Sequence, residues 1–400
     1  MKILLVADGR SPITYRWVES LHALKFDVHL ISTFPCSPWE KAKLVGVLPV
    51  AFAGLAGSQL DSSPSGQKVG WRSRLSTLRS LLLWVRYRLG PLTIPMYSGR
   101  FRQMVEEVKP DLVHALRIPF EGMLAANTPH SYPLVLSTWG NDLTLHARGS
   151  ALMVAATRRA LRRADGLMSD TLRDLRLAGE WGFRESLPTL AVPGNGGLEL
   201  AEFERLRHQF QSKQDQTRDE ILIINPRGFR PASVHQDIFF QAIPQVLREY
   251  PQAHFICPAM RGQPQAERWV EKLKIAAHVE LLSHLPQQEL WGWFLRSKIY
   301  VSISSHDGTP NTLLEAMACG CLPVCGDIES IREWITNGKN GLLVDPSSAQ
   351  GTAEAILCGI RNLELRQDAA KHNWDLLRER VDVSVVSKKI RDFYQTILRG

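Results

Sequence analysis

Residues 304–346 read SSHDGTPNTLLEAMACGCLPVCGDIESIREWITNGKNGLLVDP, and their order decides the fold. The apolar run Tyr300–Ile303 enters this stretch as a strand, Asp307-Gly308-Thr309-Pro310-Asn311 turns the chain, and a helix follows. Pro310 suits the first helical turn, where a missing N–H is no loss, and Thr309 suits the cap. Leu322–Val324 and Leu342–Val344 are short continuous apolar runs, as expected of strands buried on both faces of a parallel sheet. The amino end of the helix then offers unpaired N–H groups and partial positive charge, a site for an anion such as phosphate.

The same strand–helix alternation extends outward from this unit. Ile221–Ile224, His254–Cys257 and Val279–Leu282 precede it as strands. In the first half, Ile3–Ala7, Val28–Ile31, Leu112–Ala115, Leu134–Ser137, Gly166–Ser169 and Leu190–Val192 form a second series. Ile13, Trp17, Leu21 and Leu24 recur there at helical spacing. Four hundred residues exceed one ordinary core. Pro193-Gly194-Asn195-Gly196-Gly197 is the densest turn-forming stretch in the middle, so two domains are expected, residues 1–193 and 194–379. A helix at about 380–400 is expected to return to the first domain. The fold class is α/β: two Rossmann-like domains whose parallel sheets face a central cleft.

Charge is distributed unevenly. Residues 1–195 hold 24 Lys and Arg against 15 Asp and Glu, a net +9, while residues 196–400 hold 24 against 25. A one-sided field suits an anionic surface such as phospholipid or lipid-linked phosphate. Nucleic acid is a weaker partner, because no interleaved aromatic and basic platform occurs. In residues 71–89, Trp71, Leu75, Leu78, Leu82, Val85 and Leu89 fall on one helical stripe. Arg72, Arg79 and Arg86 border it on one side, Arg74 and Arg88 on the other. Such a helix can lie on a membrane with its arginine heads at phosphates, or pack on the domain core with solvated arginines. The stretch from Leu44 to Leu60 is uncharged but broken by Gly46, Pro49, Gly54 and Gly57, which argues for a buried or interfacial segment over a spanning helix. The expected location is cytoplasmic, peripheral at most on the inner face of the membrane. Cys319, Cys321 and Cys325 lack zinc-ligand spacing and read as fillers of small buried slots.

Asp307 and Glu315 lie eight positions apart, one in the turn and one inside the helix. A carboxylate accepts two hydroxyl hydrogen bonds, so one can face a sugar while the other faces a ribose. Arg227 and Arg230 follow the strand Ile221–Ile224, at the sheet edge where open α/β folds bind ligands. Guanidinium groups pair with phosphate oxygens and could stabilise a departing diphosphate.

Taken together, these residues resemble the donor-site signature of glycosyltransferase family 4, of the GT-B fold. The signature has two acids separated by seven residues, then EAMACG, a Pro-Val strand, and NGLLV-x-P. Here these are Asp307 and Glu315, Glu315–Gly320, Pro323-Val324 and Asn340–Val344. Asn195-Gly196 resembles the turn that opens the family's second domain, and Trp139-Gly140-Asn141-Asp142 a cleft loop of some members. The resemblance implies a retaining transfer from a nucleoside-diphosphate sugar, without cofactor or bound metal, to a glycan, lipid-linked or small-molecule acceptor. It implies that Glu315 binds the ribose, Asp307 contacts the donor sugar, and Gly308, Thr309, Asn311 and Thr312 add contacts to sugar and phosphate. Arg227 would hold the diphosphate.

This chain departs from the pattern at several positions. The first acid is Asp307 where the family usually has Glu, and Ala232 stands in place of a phosphate lysine. Arg230 is the candidate replacement, ahead of His235. Leu116 occupies the place of the N-domain histidine, and His114 stands two positions early. Asp142 and Arg117 are further candidates for acceptor-side work, with Trp139 and Asn141 beside them. Gly9-Arg10-Ser11 replaces a paired-glycine turn, so Gly9 and Ser11 are expected to face the cleft. The rival readings are a nucleotide-sugar epimerase of the same architecture and a catalytically silent binding subunit.

Overall fold

The buried runs pair as parallel strands in a computed structural model that describes residues 1–53, 85–212, 220–230 and 232–399. The chain divides into two units, Met1–Gly196 with Ser387–Gly400, and Gly197–Val386.

The first unit holds β1 (Lys2–Ala7), β2 (Asp27–Ser32), β3 (Lys43–Val47), β4 (Leu112–Ala115), β5 (Leu134–Thr138), β6 (Gly166–Ser169) and β7 (Thr189–Ala191). Their order across the sheet is β3-β2-β1-β4-β5-β6-β7, with every pair parallel. Ile3, Leu4, Leu5 and Val6 are all fully buried, because helices cover both faces of the central strand β1. The helices include α1 (Pro12–Ala23), α2 (Ile94–Val108), α3 (Ala151–Arg163) and α4 (Leu172–Glu180). The winding direction reverses between β1 and β4, so the loops leaving their carboxyl ends diverge and open a crevice.

The second unit holds β8 (Ile221–Ile224), β9 (Ala253–Cys257), β10 (Val279–Leu281), β11 (Ile299–Ser302), β12 (Leu322–Gly326) and β13 (Leu342–Val344), ordered β10-β9-β8-β11-β12-β13. Here the reversal falls between β8 and β11, the two strands whose following loops carry Arg227 and Asp307. Around this sheet lie α5 (Leu200–Ser212), α6 (Gln236–Glu249), α7 (Pro264–Leu273), α8 (Gln287–Arg296), α9 (Asn311–Ala318), α10 (Ala349–Arg361) and α11 (Leu363–Arg380). The last helix, α12 (Val383–Arg399), belongs mostly to the first unit.

The uncharged stretch after Lys43 begins as a half-buried strand, β3, which pairs with β2 through an irregularity at Leu30/Ile31, and its residues 54–60 lie outside the described residues. Two local expectations need correction. The helix α9 starts at Asn311, with Pro310 as its extended cap residue, not Thr309. Proline disfavours helical geometry in the residue before it, and the Thr309 hydroxyl is already taken by the Trp334 indole N–H at 2.8 Å. Of the stripe at 71–89, residues 71–84 lie outside the described residues. Residues 85–89 are helical, and Arg86 turns inward over the rings of Phe34 and Phe120, unlike the solvated arginine expected of a helix packed on the core. Cys257, Cys319, Cys321 and Cys325 are buried free thiols. Among the described residues no helix is long and apolar enough to cross a membrane.

Candidate active site

In the second unit, the carboxyl ends of β8 and β11 bring the two sequence-predicted clusters together. The buried Arg227 guanidinium donates to the Asp307 carboxylate, joining residues 80 positions apart. Burial opposes the charge on Arg227, but the adjacent Asp307 outweighs it and raises the arginine's pKa. The Arg227 Nε–H is buried and has no hydrogen-bond partner among the described residues. Arg230 stands exposed nearby, and the positive charge of Arg227 lowers its pKa. An added anion would be attracted by both groups.

The turn bearing Asp307 is tied down on several sides. Ser304 Oγ donates to Asp307 at 3.4 Å, the Gly308 N–H to the same carboxylate at 3.1 Å, and Ser330 Oγ to the Asp307 carbonyl at 2.8 Å. His235 is held at 2.8 Å from Ser305 Oγ, and Ser233 donates to the His306 carbonyl, so the loop after β8 braces the loop after β11. On α9, Asn311 presents a buried Oδ1 with no partner among the described residues, and Thr312 shares a hydrogen bond of 3.1 Å with the Tyr300 hydroxyl. Glu315 is buried on the same helix and accepts from Gln287 Nε2 at 2.7 Å. Gln287 begins α8, a contact that single-strand and helix patterns do not reveal.

The first unit has its own polar cluster, at the ends of β1, β4 and β5. A cavity of about 220 Å³ is lined there by Asp8, Ser11, Arg117 and Trp139, among others. Gly9, expected at the cleft, is buried and not among the lining residues; its N–H donates to Ser32 Oγ at 3.0 Å. A side chain at Gly9 would strike Cys36 Sγ at 2.5 Å, which accounts for glycine at this close approach. Asp142 is fully buried and takes the Arg117 Nε–H at 2.9 Å and the backbone N–H groups of Ile118 and Trp139 at 3.3 and 3.2 Å. Its acceptor sites serve the loop itself. Asp142, a candidate for acceptor-side work by its sequence, has both oxygens engaged in holding Arg117, Ile118 and Trp139 in place. Asn141 belongs to the same turn, its carbonyl accepting from Leu145 and His146 at 3.0 and 2.9 Å.

His114 is corrected too. It is fully buried between Tyr394 OH at 2.7 Å and Ser137 Oγ at 2.8 Å, and burial pushes its pKa down to about 3. A neutral, enclosed imidazole with both nitrogens occupied is a core fixture. Glu121 and Arg86 are among the cavity residues that escaped sequence reasoning. Glu121 is buried and accepts from Thr33 Oγ1 at 2.7 Å, and Arg86 lies over Phe34 and Phe120. The signal for Glu121 was a lone acid inside the apolar run Ile118–Ala126. Arg86 had no such signal, because a helical stripe does not say which arginine turns inward.

Family comparisons agree with this division. Residues 207–373 match the model described as glycosyl transferases group 1, and residues 8–193 match that described as a glycosyl transferase 4-like domain. TuaC of Bacillus subtilis (strain 168), to which a glycosyltransferase role in teichuronic acid biosynthesis is ascribed, is 22% identical over 300 residues. The match covers 73% of this chain and 72% of that protein. The O-antigen chain mannosyltransferase B of Escherichia coli is 27% identical over 133 residues, 32% of this chain and 34% of the relative. A crystal structure of HepE from Anabaena in complex with UDP-glucose superposes with a TM-score of 0.69 at 15% identity, covering 99% of this chain and all of that one. At that identity the likeness shows a shared fold.

Proposed function

The chain belongs to the group 1 glycosyl transferases with a 4-like domain in its first half, and on that premise we propose a retaining, metal-independent hexosyltransferase fed by a nucleoside-diphosphate sugar. It is a glycosyltransferase of glycan biosynthesis. The observation that carries the finer reading is the meeting of Arg227, Asp307 and Arg230 at the switch point of the second sheet, beside the amino end of α9.

In this reading Glu315 accepts the ribose hydroxyls, exchanging the Gln287 amide for them, and Asp307 orients a hydroxyl of the donor sugar. Asn311, Thr312 and the amino end of α9 face the diphosphate. Arg230 and the open Nε–H of Arg227 take up charge as the diphosphate leaves, the task a divalent cation performs in other transferases. The acceptor hydroxyl attacks from the face the diphosphate leaves, and a diphosphate oxygen takes its proton, so the anomeric configuration is kept. Asp142 and His114 are both committed elsewhere, which supports a substrate oxygen as the base. The basic excess of the first half supports an acceptor presented at an anionic, lipid-phosphate surface.

A thermal-shift panel of nucleotide sugars should show one donor raising the melting temperature, since a ligand bound only by the folded state stabilises it. UDP- and GDP-sugars head the panel. With that donor, Glu315→Ala should weaken binding by calorimetry at least tenfold; unchanged affinity would reject its role. Turnover should persist in EDTA and the product should keep the donor's anomeric configuration by NMR. An inverted product would overturn the retaining mechanism, and an isomerised donor formed without acceptor would point to an epimerase.

A further inference from the structure

Arg227 is the buried cation of the second unit's switch point, and its own stretch of chain does little to aim it. Gly228 follows it at a φ of +59°, where a Cβ would meet Ala259 only at ordinary van der Waals distance, so this glycine answers a backbone turn and not a crowded site. An arginine beside such a turn keeps one direction only if groups outside the turn fix its peptides.

Two buried amides meet that need. Asn225 follows β8 and is 1% exposed, and its N–H extends the ladder to the Ile256 carbonyl of β9 at 2.9 Å. Gln236 begins α6 and is 2% exposed. Asn225 Nδ2 donates to Gln236 Oε1 at 2.6 Å, which joins the pair. The other ends of the two amides go to main-chain atoms on either side of the Arg227 side chain. Asn225 Oδ1 accepts the Arg227 N–H at 3.2 Å, and Gln236 Nε2 donates to the Gly228 carbonyl at 2.6 Å. Turning the Gln236 amide over would set its oxygen against that carbonyl and its nitrogen against Asn225 Nδ2, so the contacts fix which atom is which. Burying two bonded amides gains little over apolar side chains of the same shape, such as α6 supplies at Phe239 and Phe240. What distinguishes the pair is where its bonds go.

We propose that Asn225 and Gln236 are positioning residues of the donor site, an amide clamp on the peptides around Arg227 that aims its guanidinium at the terminal phosphate of a nucleoside diphosphate. The proposal rests on the donor reading above and adds how the phosphate-binding cation is held. Asp307 meets the tip of the arginine and the clamp fixes its root, which gives the buried Nε–H a set direction. Bidentate contact between guanidinium and phosphate depends on such alignment, and a misplacement of about 1 Å at a reacting group can cost about a hundredfold in rate.

Calorimetry on the full chain, with uridine, guanosine and adenosine diphosphates against the matching monophosphates, isolates the terminal phosphate. For the base that binds, the diphosphate should be held at least about tenfold more tightly than the monophosphate. Gln236→Met keeps the shape and removes the bonds to Asn225 and Gly228. It should bring the two affinities within about twofold of each other and leave that of the monophosphate unchanged. Gln236→Glu, which keeps the bond from Asn225 but repels the Gly228 carbonyl, should do the same. In an Arg227→Lys background, Gln236→Met should change the ratio no further, because the group it aims is gone. Equal weakening of diphosphate and monophosphate would make the pair general support and overturn the proposal. So would an unchanged ratio in both variants, or the same drop with and without Arg227. Failure of both Gln236 variants to fold, by circular dichroism, would make the amides a requirement of the core and overturn it as well. An unaltered chain that binds none of the nucleotides strikes the donor reading itself, whereas nucleotide binding with a ratio insensitive to Gln236 strikes the clamp alone.

Discussion

Removing the Arg227 guanidinium would leave the Asp307 carboxylate in a largely dry site with its main partner gone. Side-chain exposure is only 5% for the arginine and 13% for the aspartate, so solvent replaces little of what is lost. Arg227→Ala should destabilise by about 3–5 kcal/mol, as truncating one member of a buried pair does, and the double variant Arg227→Ala/Asp307→Ala by less than the sum of the two single changes. Urea unfolding of the four proteins checks this; strict additivity would mean that the pair is not coupled. His114 gives a second residue-scale prediction. Its folded pKa of about 3 lies below the ordinary 6.5, so the unfolded chain binds a proton more readily between those values. The stability from a neutral His114 is complete above pH 6.5 and declines as pH falls toward 3, by about 2 kcal/mol at pH 5. His114→Gln, which can still bond Ser137 and Tyr394, should flatten the pH dependence of the urea midpoint between pH 5 and 7.

At the scale of elements, the end of β12 governs the turn that carries Asp307. A Cβ on Gly326 would press against the Ser304 carbonyl oxygen and stand 2.9 Å from the Ser304 nitrogen, both backbone atoms of the segment that follows β11. Gly326→Ala must therefore push that segment, and with it the Ser304–Asp307 bond of 3.4 Å. Overpacking of this kind costs about 1–3 kcal/mol, and nucleotide-sugar affinity should fall along with the urea midpoint. An unchanged affinity would show that the turn absorbs the displacement. The same element explains what could be read in advance. Doubly buried strands announce themselves as unbroken apolar runs, which is why β8, β11 and β12 were legible. The edge strand β3 was not, because Lys43 and Gly46 within it and half-buried positions throughout remove both the apolar run and the alternation. Arg227 and Asp307 were visible because strand-end loops of a parallel sheet are where ligands bind. The inward turn of Arg86 and the saturation of Asp142 depend on side-chain direction, which spacing does not encode.

For the molecule as a whole, the chain ends where it began, in the first unit. After the second unit closes at Val386, α12 supplies Ile390, Phe393, Tyr394 and Ile397, all buried and spaced to line one helical face. Tyr394 bonds His114 on β4 and packs its ring 6.2 Å from Phe26, while Phe393 and Ile397 lie against Gly166 on β6. Burying a large apolar side chain contributes about 1.5–3 kcal/mol, so these four contribute roughly 6–12 kcal/mol, comparable with the entire stability of a domain. Ending the chain after Val386 should therefore unfold the first unit and spare the second, whose strands and helices all lie within Gly197–Val386. In scanning calorimetry one transition should vanish and the other remain, and the remaining one should still move to higher temperature with the preferred nucleotide sugar. Two intact transitions would show that the first sheet holds without its terminal helix. Loss of both would show that the donor unit depends on the first unit, contrary to a core that closes on itself.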